Sequence, residues 1–294
     1  MSTSINEAWV QSFENRVHHL GQQEVSRARS AVRNRTGKGQ IYSFERMAAS
    51  DMTAYSGRHA DTPINNVASS RRNCTVSTWE WGELVDNADL ARILIDPDSN
   101  YMKTAAYAYG RKLDEEIFDA MVSDSKTTVG TGTGGGVGAA APFVAGQKIG
   151  DGTGALTLDD LRGAKRKLDA AEIMGNRYCA VSAKALEDLL KITEVTSIDY
   201  NVVKALVNGE LNTYLGFDFI RTELVPGASA DNVTGQGTMC WVDSSMGLAI
   251  SDDKFTRVGP DASKKFSNRI YCETTFGVAR IEDEGVVLID RAAT

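Results

Sequence analysis

The residues in this chain that could do chemistry are a glycine-rich run, three histidines, a few carboxylate pairs and four cysteines. Gly130 to Gly135 spells GxGxxG, the spacing that lets a pyrophosphate approach backbone N–H groups at a helix N-terminus. That chemistry needs a strand before the motif and a helix after it. Here the motif follows the end of a helical pattern and opens into TGTGGGVGAAAP, and the P-loop spacing GxxxxGK followed by Ser or Thr is missing as well. A glycine linker is the reading that fits. His18, His19 and His59 do not stand at metal-ligand spacing from a cysteine or from another histidine on a structured element. Asp96, Asp98 and Asn100 imitate the start of a calcium loop but lack its glycine and its closing glutamate, and helix capping accounts for them. The pairs Glu115–Glu116, Asp159–Asp160 and Asp252–Asp253 fall on polar helix faces or turns, where a carboxylate stays solvated. With no GxSxG elbow, HExxH helix or Cys/His arrangement, no catalytic residue, metal or cofactor is expected. Weight shifts to a protein that acts through its surfaces.

Composition narrows the class further. A chain of 294 residues with 42% hydrophobic residues can bury a large core, and its net charge of -7 is not that of a protein gripping phosphate backbones. DNA, if a partner, is contained rather than read. Cys74, Cys179, Cys240 and Cys272 form no CxxC pair and sit in strand-like flanks, so they read as free thiols in a reducing compartment. The opening MSTSINEAWVQSFENR is too polar for a signal peptide, and no later stretch approaches the roughly 20 apolar residues of a membrane span. Synthesis in the cytosol is the expectation. Asn-x-Thr triplets at Asn34, Asn73 and Asn232 then count as chance matches.

The elements that position these residues can be read in order. Trp9, Phe13, Val17 and Leu20, then Val25, Ala28 and Val32, predict a helical arm over 5–36, basic in its second half through Arg27, Arg29, Arg33, Arg35 and Lys38. Two strand-like runs, QIYSFERMA and NCTVSTWEWGELV, bracket a polar stretch without period. A hairpin of this kind has no second layer, so it should gain order by packing on something else. Residues 96–125 predict the longest helix: Asp96 caps it, Pro97 suits its first turn, and Met102, Ala105, Ala106, Tyr109, Leu113, Ile117, Ala120 and Met121 form one apolar stripe. Arg111 with Glu115 and Lys112 with Glu116 stand four apart on its surface. At that length it is a rod of about 40 Å. The glycine-rich 127–154 reads as a flexible linker. Beyond it come a capped helix at Thr157 to Gly175, a strand from Arg177 to Val181, a short helix after Ser182 and another from Asp199 to Val207. The remaining strand runs are ELNTYLGFDFIRTELV, TMCWVD, GLAIS, NRIYCETTF and GVVLID. Helices and strands mix without regular alternation, so the class is α+β.

This order of parts resembles the major capsid proteins of tailed bacteriophages, with their Hong Kong 97-type fold. NRYCAVSAKALEDLLK is similar to the strand-then-helix of that family's A-domain, LNTYLGFDFIRTELVPG to the strand leading into its Leu-Pro turn, and NRIYCETTFGVARIEDEGVVLID to the C-terminal pair completing the P-domain sheet. The resemblance implies an N-terminal arm at 1–39, an extended E-loop with its flanking strands at 40–95, the P-domain spine helix and glycine-rich loop at 96–154, an A-domain at 155–262, and C-terminal strands returning to the P-domain at 263–294. It implies a non-enzymatic subunit that self-assembles as hexamers and pentamers of an icosahedral head around double-stranded DNA, without a membrane. A portal protein and a cement protein are partners of the family. No scaffold-length segment precedes the arm, which implies a separate scaffolding protein. No lysine lies between Lys38 and Lys103 to serve as the E-loop cross-linking residue of members that weld their subunits. Tyr55, Arg58, His59, Asp61, Arg71 and Arg72 are the candidate intersubunit contacts near the E-loop tip, since arginine and tyrosine anchor interfaces. Trp9, Phe13, Arg27 and Arg33 are the candidate contacts of the arm. Hairpin and arm are both expected to be ordered by adjacent copies rather than by their own chain. The alternatives are an encapsulin-type nanocompartment shell, marked by protein cargo, and an unrelated enzyme with a lid at 40–80.

Overall fold

The computed structural model describes residues 20–55, 57–59, 61–62, 64–86, 97–123, 128–130, 142–192 and 213–292. The spine helix α1 (Pro97–Val122) crosses a four-stranded sheet ordered β1-β11-β12-β4, made of Arg33–Thr36, Met246–Asp261, Ser267–Arg280 and Ser77–Val85. A six-stranded sheet ordered β6-β13-β10-β7-β9-β8 contains Lys148–Ile149, Val286–Arg291, Gln236–Val242, Arg177–Val181, Phe217–Arg221 and Thr213–Tyr214. The third sheet is the hairpin of β2 (Ile41–Met47) and β3 (Ser69–Thr75), widened by β5 (Thr128–Gly130).

The six-stranded sheet is apolar on both faces, which is why its strands read as continuous hydrophobic runs rather than alternating ones. Met239 and Trp241 of β10 join Val286 and Leu288 of β13 in the core under α1, where Leu113, Ile117, Phe118 and Met121 meet them. The intervening Cys240, Val242, Val287 and Ile289 turn to the opposite face, against α2 (Leu158–Ala170) and α3 (Ala183–Leu190). A period of two on one strand thus feeds two cores. Trp241 is the centrepiece of the first, stacked on Tyr178 at 5.9 Å and edge-on to Phe118 at 6.2 Å.

Helix α2 begins at the expected capping box: Thr157 Oγ1 accepts from the Asp160 N–H at 3.3 Å and Asp160 Oδ2 accepts from the Thr157 N–H at 3.0 Å. Ser182 caps α3 in the same way through the Ala185 N–H. Asp160 also accepts from Arg291 Nε at 3.0 Å, tying α2 to β13. On the same strand, buried Asp290 accepts from the Thr234 and Gly235 N–H groups at 2.8 and 2.9 Å, with Lys148 Nζ at 2.9 Å.

Four sequence expectations are corrected. The second half of the arm is not helical: a 3-10 turn at Arg29–Ala31 leads into the extended β1, which runs parallel to β11. Both ends of the presumed glycine linker pack. Thr128–Gly130 pairs with β3, and Lys148–Ile149 pairs with β13, where Gly150 at φ +85° lies too close to the Asp290 carbonyl for any side chain. Strand β11 runs through Asp261, well past the predicted GLAIS, and pairs with β12 over roughly 45 Å, with β4 on the far side of β12. Its charged, alternating outer half carries too few apolar residues to read as strand. The closing strand β13 joins β10 in the six-stranded sheet instead of pairing with β12, and there each of its faces meets a core. The predicted Asp96 cap and the 199–207 helix lie outside the described residues.

Burial pushes the Asp160 and Asp290 carboxyls up, but hydrogen bonds outweigh it and hold both below the ordinary carboxylate range; the donors are Arg291 and Thr157 for the first and Lys148, Thr234 and Gly235 for the second. A depressed carboxylate contributes stability that is complete above its unfolded value and is lost as pH falls through the folded one. Urea denaturation of the chain should therefore lose stability below about pH 4. Asp290→Asn should lower it by roughly 1.5–3 kcal/mol at pH 7 and flatten that acid slope. Unchanged stability of the variant at neutral pH would contradict this assignment.

Candidate intersubunit surfaces

The described part of the arm is fixed where it crosses α1, at Asp114. Its carboxylate is fully buried and accepts from Gln23 Nε2 at 2.5 Å, the Arg27 N–H at 2.9 Å, the Ala28 N–H at 3.2 Å and the Ser26 hydroxyl. One turn earlier Gly110 leaves room for the crossing: a methyl group there would lie 3.0 Å from the Ser26 nitrogen. Arg111, expected to pair with Glu115, reaches Gln22 Oε1 at 2.5 Å, whereas Lys112 meets Glu116 at 3.2 Å as its spacing predicts. Trp241 Nε1 donates to the Ala31 carbonyl at 2.8 Å, and β1 follows in register with β11 from Arg33↔Gly247 to Thr36↔Ile250. Residues 20–36 are thus ordered by their own chain, and the expectation that neighbours order the whole arm is corrected for this part. A helix would have satisfied its own N–H groups. The buried carboxylate removes that advantage.

The base of the hairpin is fixed in a comparable way. Tyr42, Phe44 and Cys74 pack on Ala249, Ala279 and Ile281, forming a small core on the β11–β12 ribbon. The Phe44 ring occupies the space where a side chain of Gly247 would stand, 2.5 Å from a methyl group built there, and Gly277 gives equal room to the Thr75 backbone. Arg72, placed near the loop tip from sequence, lies in β3 opposite Phe44, is 3% exposed, and pairs with Asp283 of its own chain. It is therefore unavailable as a surface cation. Burial lowers its pKa, offset in part by Asp283. Asp283 also accepts from the fully buried Arg280 Nε at 2.7 Å, while Arg280 donates to the Met121 carbonyl at 2.8 Å and the Pro142 carbonyl at 3.0 Å. A cation at the Met121 carbonyl suits the negative end of the α1 dipole. Arg71 is likewise in β3 and not at the tip, with its guanidinium 2.6 Å from Glu45 across the hairpin.

The outer half of the hairpin is different. Tyr55, Arg58, His59 and Asp61 are all exposed, and His59 takes the left-handed φ of 64° in the turn. Around them Met52 is 99% exposed, Ile64 90% and Tyr55 83%. Of the arm contacts, Arg27 and Arg33 are exposed, with Arg27 donating to the Arg221 carbonyl, and Trp9 and Phe13 lie outside the described residues.

Sequence reasoning missed one surface altogether. The apolar stripe of α1 outruns the core beneath it, so Met102 is 42% exposed and Ala106 is exposed too. Together with Trp79, Trp81, Tyr109 and Phe255 they line a cavity of about 520 Å³ between the helix and the four-stranded sheet, rimmed by Glu80, Lys112 and Glu273. Lys112 Nζ stands 4.2 Å over the Trp79 ring. The signal available in the sequence was the pairing of that long stripe with the alternating Trp79-Glu80-Trp81 of β4.

The hairpin end thus exposes Met52, Tyr55 and Ile64 among polar residues, and α1 carries an open apolar groove. Among the described residues no cluster of His, Cys, Asp and Glu could hold a metal ion, and no helix is long and apolar enough to cross a membrane. Solved structures share the fold. The capsid of the cyanophage P-SCSP1u matches with a TM-score of 0.77 at 16% identity, over 100% of this chain and 96% of that one. A chain of Mycobacterium phage Che8 matches at 0.73 and 15%, over 97% and 98%. The capsid of a native GTA particle matches at 0.71 and 12%, over 99% and 98%. No curated protein matches by sequence. The fold is the α+β Hong Kong 97-type capsid fold. The model of the phage capsid protein family covers residues 5–292, and the chain belongs to that family. It is a major capsid protein, a structural subunit of the phage head.

Two substitutions test how arm and hairpin are held. Asp114→Ala leaves several donors without their acceptor and should cost about 2–4 kcal/mol, with faster proteolysis between residues 20 and 28. Gly247→Val should cost about 1–3 kcal/mol by forcing Phe44 aside, and adding Phe44→Ala should recover part of that loss. Strict additivity in the double variant would show that the two residues do not meet.

Proposed function

We propose that the chain assembles as hexamers and pentamers of an icosahedral shell that encloses the double-stranded DNA of a tailed phage. Assembly takes place in the host cytoplasm on a separate scaffolding protein, is joined at one vertex by a portal, and leaves an outer face that a cement protein can cover. The subunit performs no catalysis. The observation that carries this reading is the pair of unmatched surfaces, the exposed hairpin end and the open groove on α1, which do not meet within one chain. In the shell the hairpin of one copy seats in the groove of the next: Met52, Tyr55 and Ile64 enter the apolar cavity. Arg58, His59 and Asp61 face the rim charges Glu80, Lys112 and Glu273. Arg27, Arg33, Trp9 and Phe13 add the second contact, through the arm. Arg71 and Arg72 serve the same interface indirectly, by holding the hairpin base.

Many modest contacts suit an assembling shell better than one strong one. A single tight interface would trap wrongly joined subunits, whereas weak ones dissociate and re-form until multivalency fixes a closed particle. Expressed with its scaffold, the chain should sediment as particles. Deletion of residues 51–66, which spares β2 and β3, and Met102→Asp in the groove should each leave soluble subunits that fail to close shells. Normal particles from both would sink the hairpin-in-groove contact while leaving family membership untouched. Particles purified after infection should hold DNA, and protein cargo in its place would favour the nanocompartment.

A further inference from the structure

Cys179 and Cys240 stand opposite one another at the centre of the six-stranded sheet, where β7 and β10 pair antiparallel. Their sulfurs are 3.3 Å apart and both residues are fully buried. Directly opposed residues of an antiparallel pair hold their Cα atoms about 4.5–5.5 Å apart, within the range a disulfide accepts. The sulfurs need only approach to about 2.05 Å, a displacement side-chain rotation can supply. The other two cysteines are placed otherwise: Cys74 packs beneath the hairpin, and Cys272 lies on β12 with its sulfur 3.6 Å from Thr256 Oγ1.

We propose that Cys179 and Cys240 form a latent oxidation site, closed to a cross-strand disulfide by a small disulfide oxidant such as glutathione disulfide. One cysteine thiolate attacks the oxidant and releases the first glutathione thiol. The second cysteine then displaces the other glutathione from the mixed disulfide. The protein loses two hydrogens as its sulfur–sulfur bond forms, and the oxidant's own sulfur–sulfur bond is reduced to two thiols. Burial raises the Cys179 thiol and also shields the pair from the oxidant. Closure therefore takes place while the sheet is forming or transiently open, and the folded subunit in a reducing medium keeps both thiols. Once closed, the bond joins positions 61 residues apart and locks the two central strands of the sheet. By restricting the unfolded chain it should raise the melting temperature by roughly 10 °C.

The test is to unfold the full chain in urea and refold it with glutathione disulfide, then to map cysteines by alkylation under denaturing conditions. The expected product is lighter by two hydrogens, links the peptides carrying Cys179 and Cys240, and melts higher until reductant is added. Folded chain given the same buffer should close more slowly. Cys179→Ala should abolish both the mass change and the rise in melting temperature. Should that variant fail to fold, Cys272→Ser serves instead, since it must retain both effects. Free thiols at Cys179 and Cys240 in molecules whose Cys272 carries glutathione would overturn the proposal, as would a bond between any other pair.

Discussion

The carboxylate of Asp114 is the constraint on which the rest of this subunit depends. An extended chain laid across a helix has backbone N–H groups that neither helix nor sheet satisfies, and leaving them buried without acceptors costs more than the crossing could return. Asp114 accepts from the Arg27 and Ala28 N–H groups and from two side chains besides, so the crossing becomes the favoured path. Gly110 makes it sterically possible. Everything downstream takes its register from there: Ala31 meets Trp241, β1 aligns with β11, and the turn at Gly37 delivers β2 to the face where Phe44 rests over Gly247.

The consequence is a division between what one chain completes and what it leaves open. The two cores, the capping box of α2 and the carboxylates of Asp160 and Asp290 are satisfied internally. The outer hairpin and the N-terminal half of the α1 stripe are not, and both expose apolar side chains. Finishing its base but not its tip gives the hairpin a fixed direction and a free end. A contact element needs both, because an arm ordered only on binding spends interaction energy on its own ordering.

Much of the fold could be read from residue pattern because it rests on local rules. Thr157 with Asp160, Ser182, Pro97 and the run Arg177–Val181 declared their elements through capping chemistry and periodicity, and the structure places those elements accordingly. The misreadings share one cause, that a distant partner overrode a local preference. Val25, Ala28 and Val32 have helical spacing, but the acceptor that straightens the segment lies some ninety positions away on α1. Thr128–Gly130 lies in a low-complexity run, yet β3 offers it a ladder. Arg72 looked like a tip residue because nothing near it in sequence announces Asp283. Gly110 was the overlooked clue, since a glycine inside an otherwise good helix costs about 1 kcal/mol and asks for a reason.

The arginine pair shows a comparable constraint at the C-terminal end of the spine. Arg72 and Arg280 share one acceptor residue, Asp283, so two buried cations meet a single anion. Arg280 is compensated by the carbonyls of Met121 and Pro142 and by the Phe143 ring at 5.4 Å, whereas Nε and Nη1 of Arg72 are buried without a hydrogen-bond partner among the described residues. Buried ion pairs are seldom retained for stability alone, since apolar residues of similar volume do as well or better. What this node adds is geometry: it ties β3 of the hairpin base, the turn after β12 and the Met121 carbonyl at the end of α1 to one point. Asp114 fixes where the arm crosses the helix, and Asp283 ties the hairpin base, through Arg72 and Arg280, to the end of that helix. Between them the two carboxylates tie the arm crossing and the hairpin base to the C-terminal half of one helix.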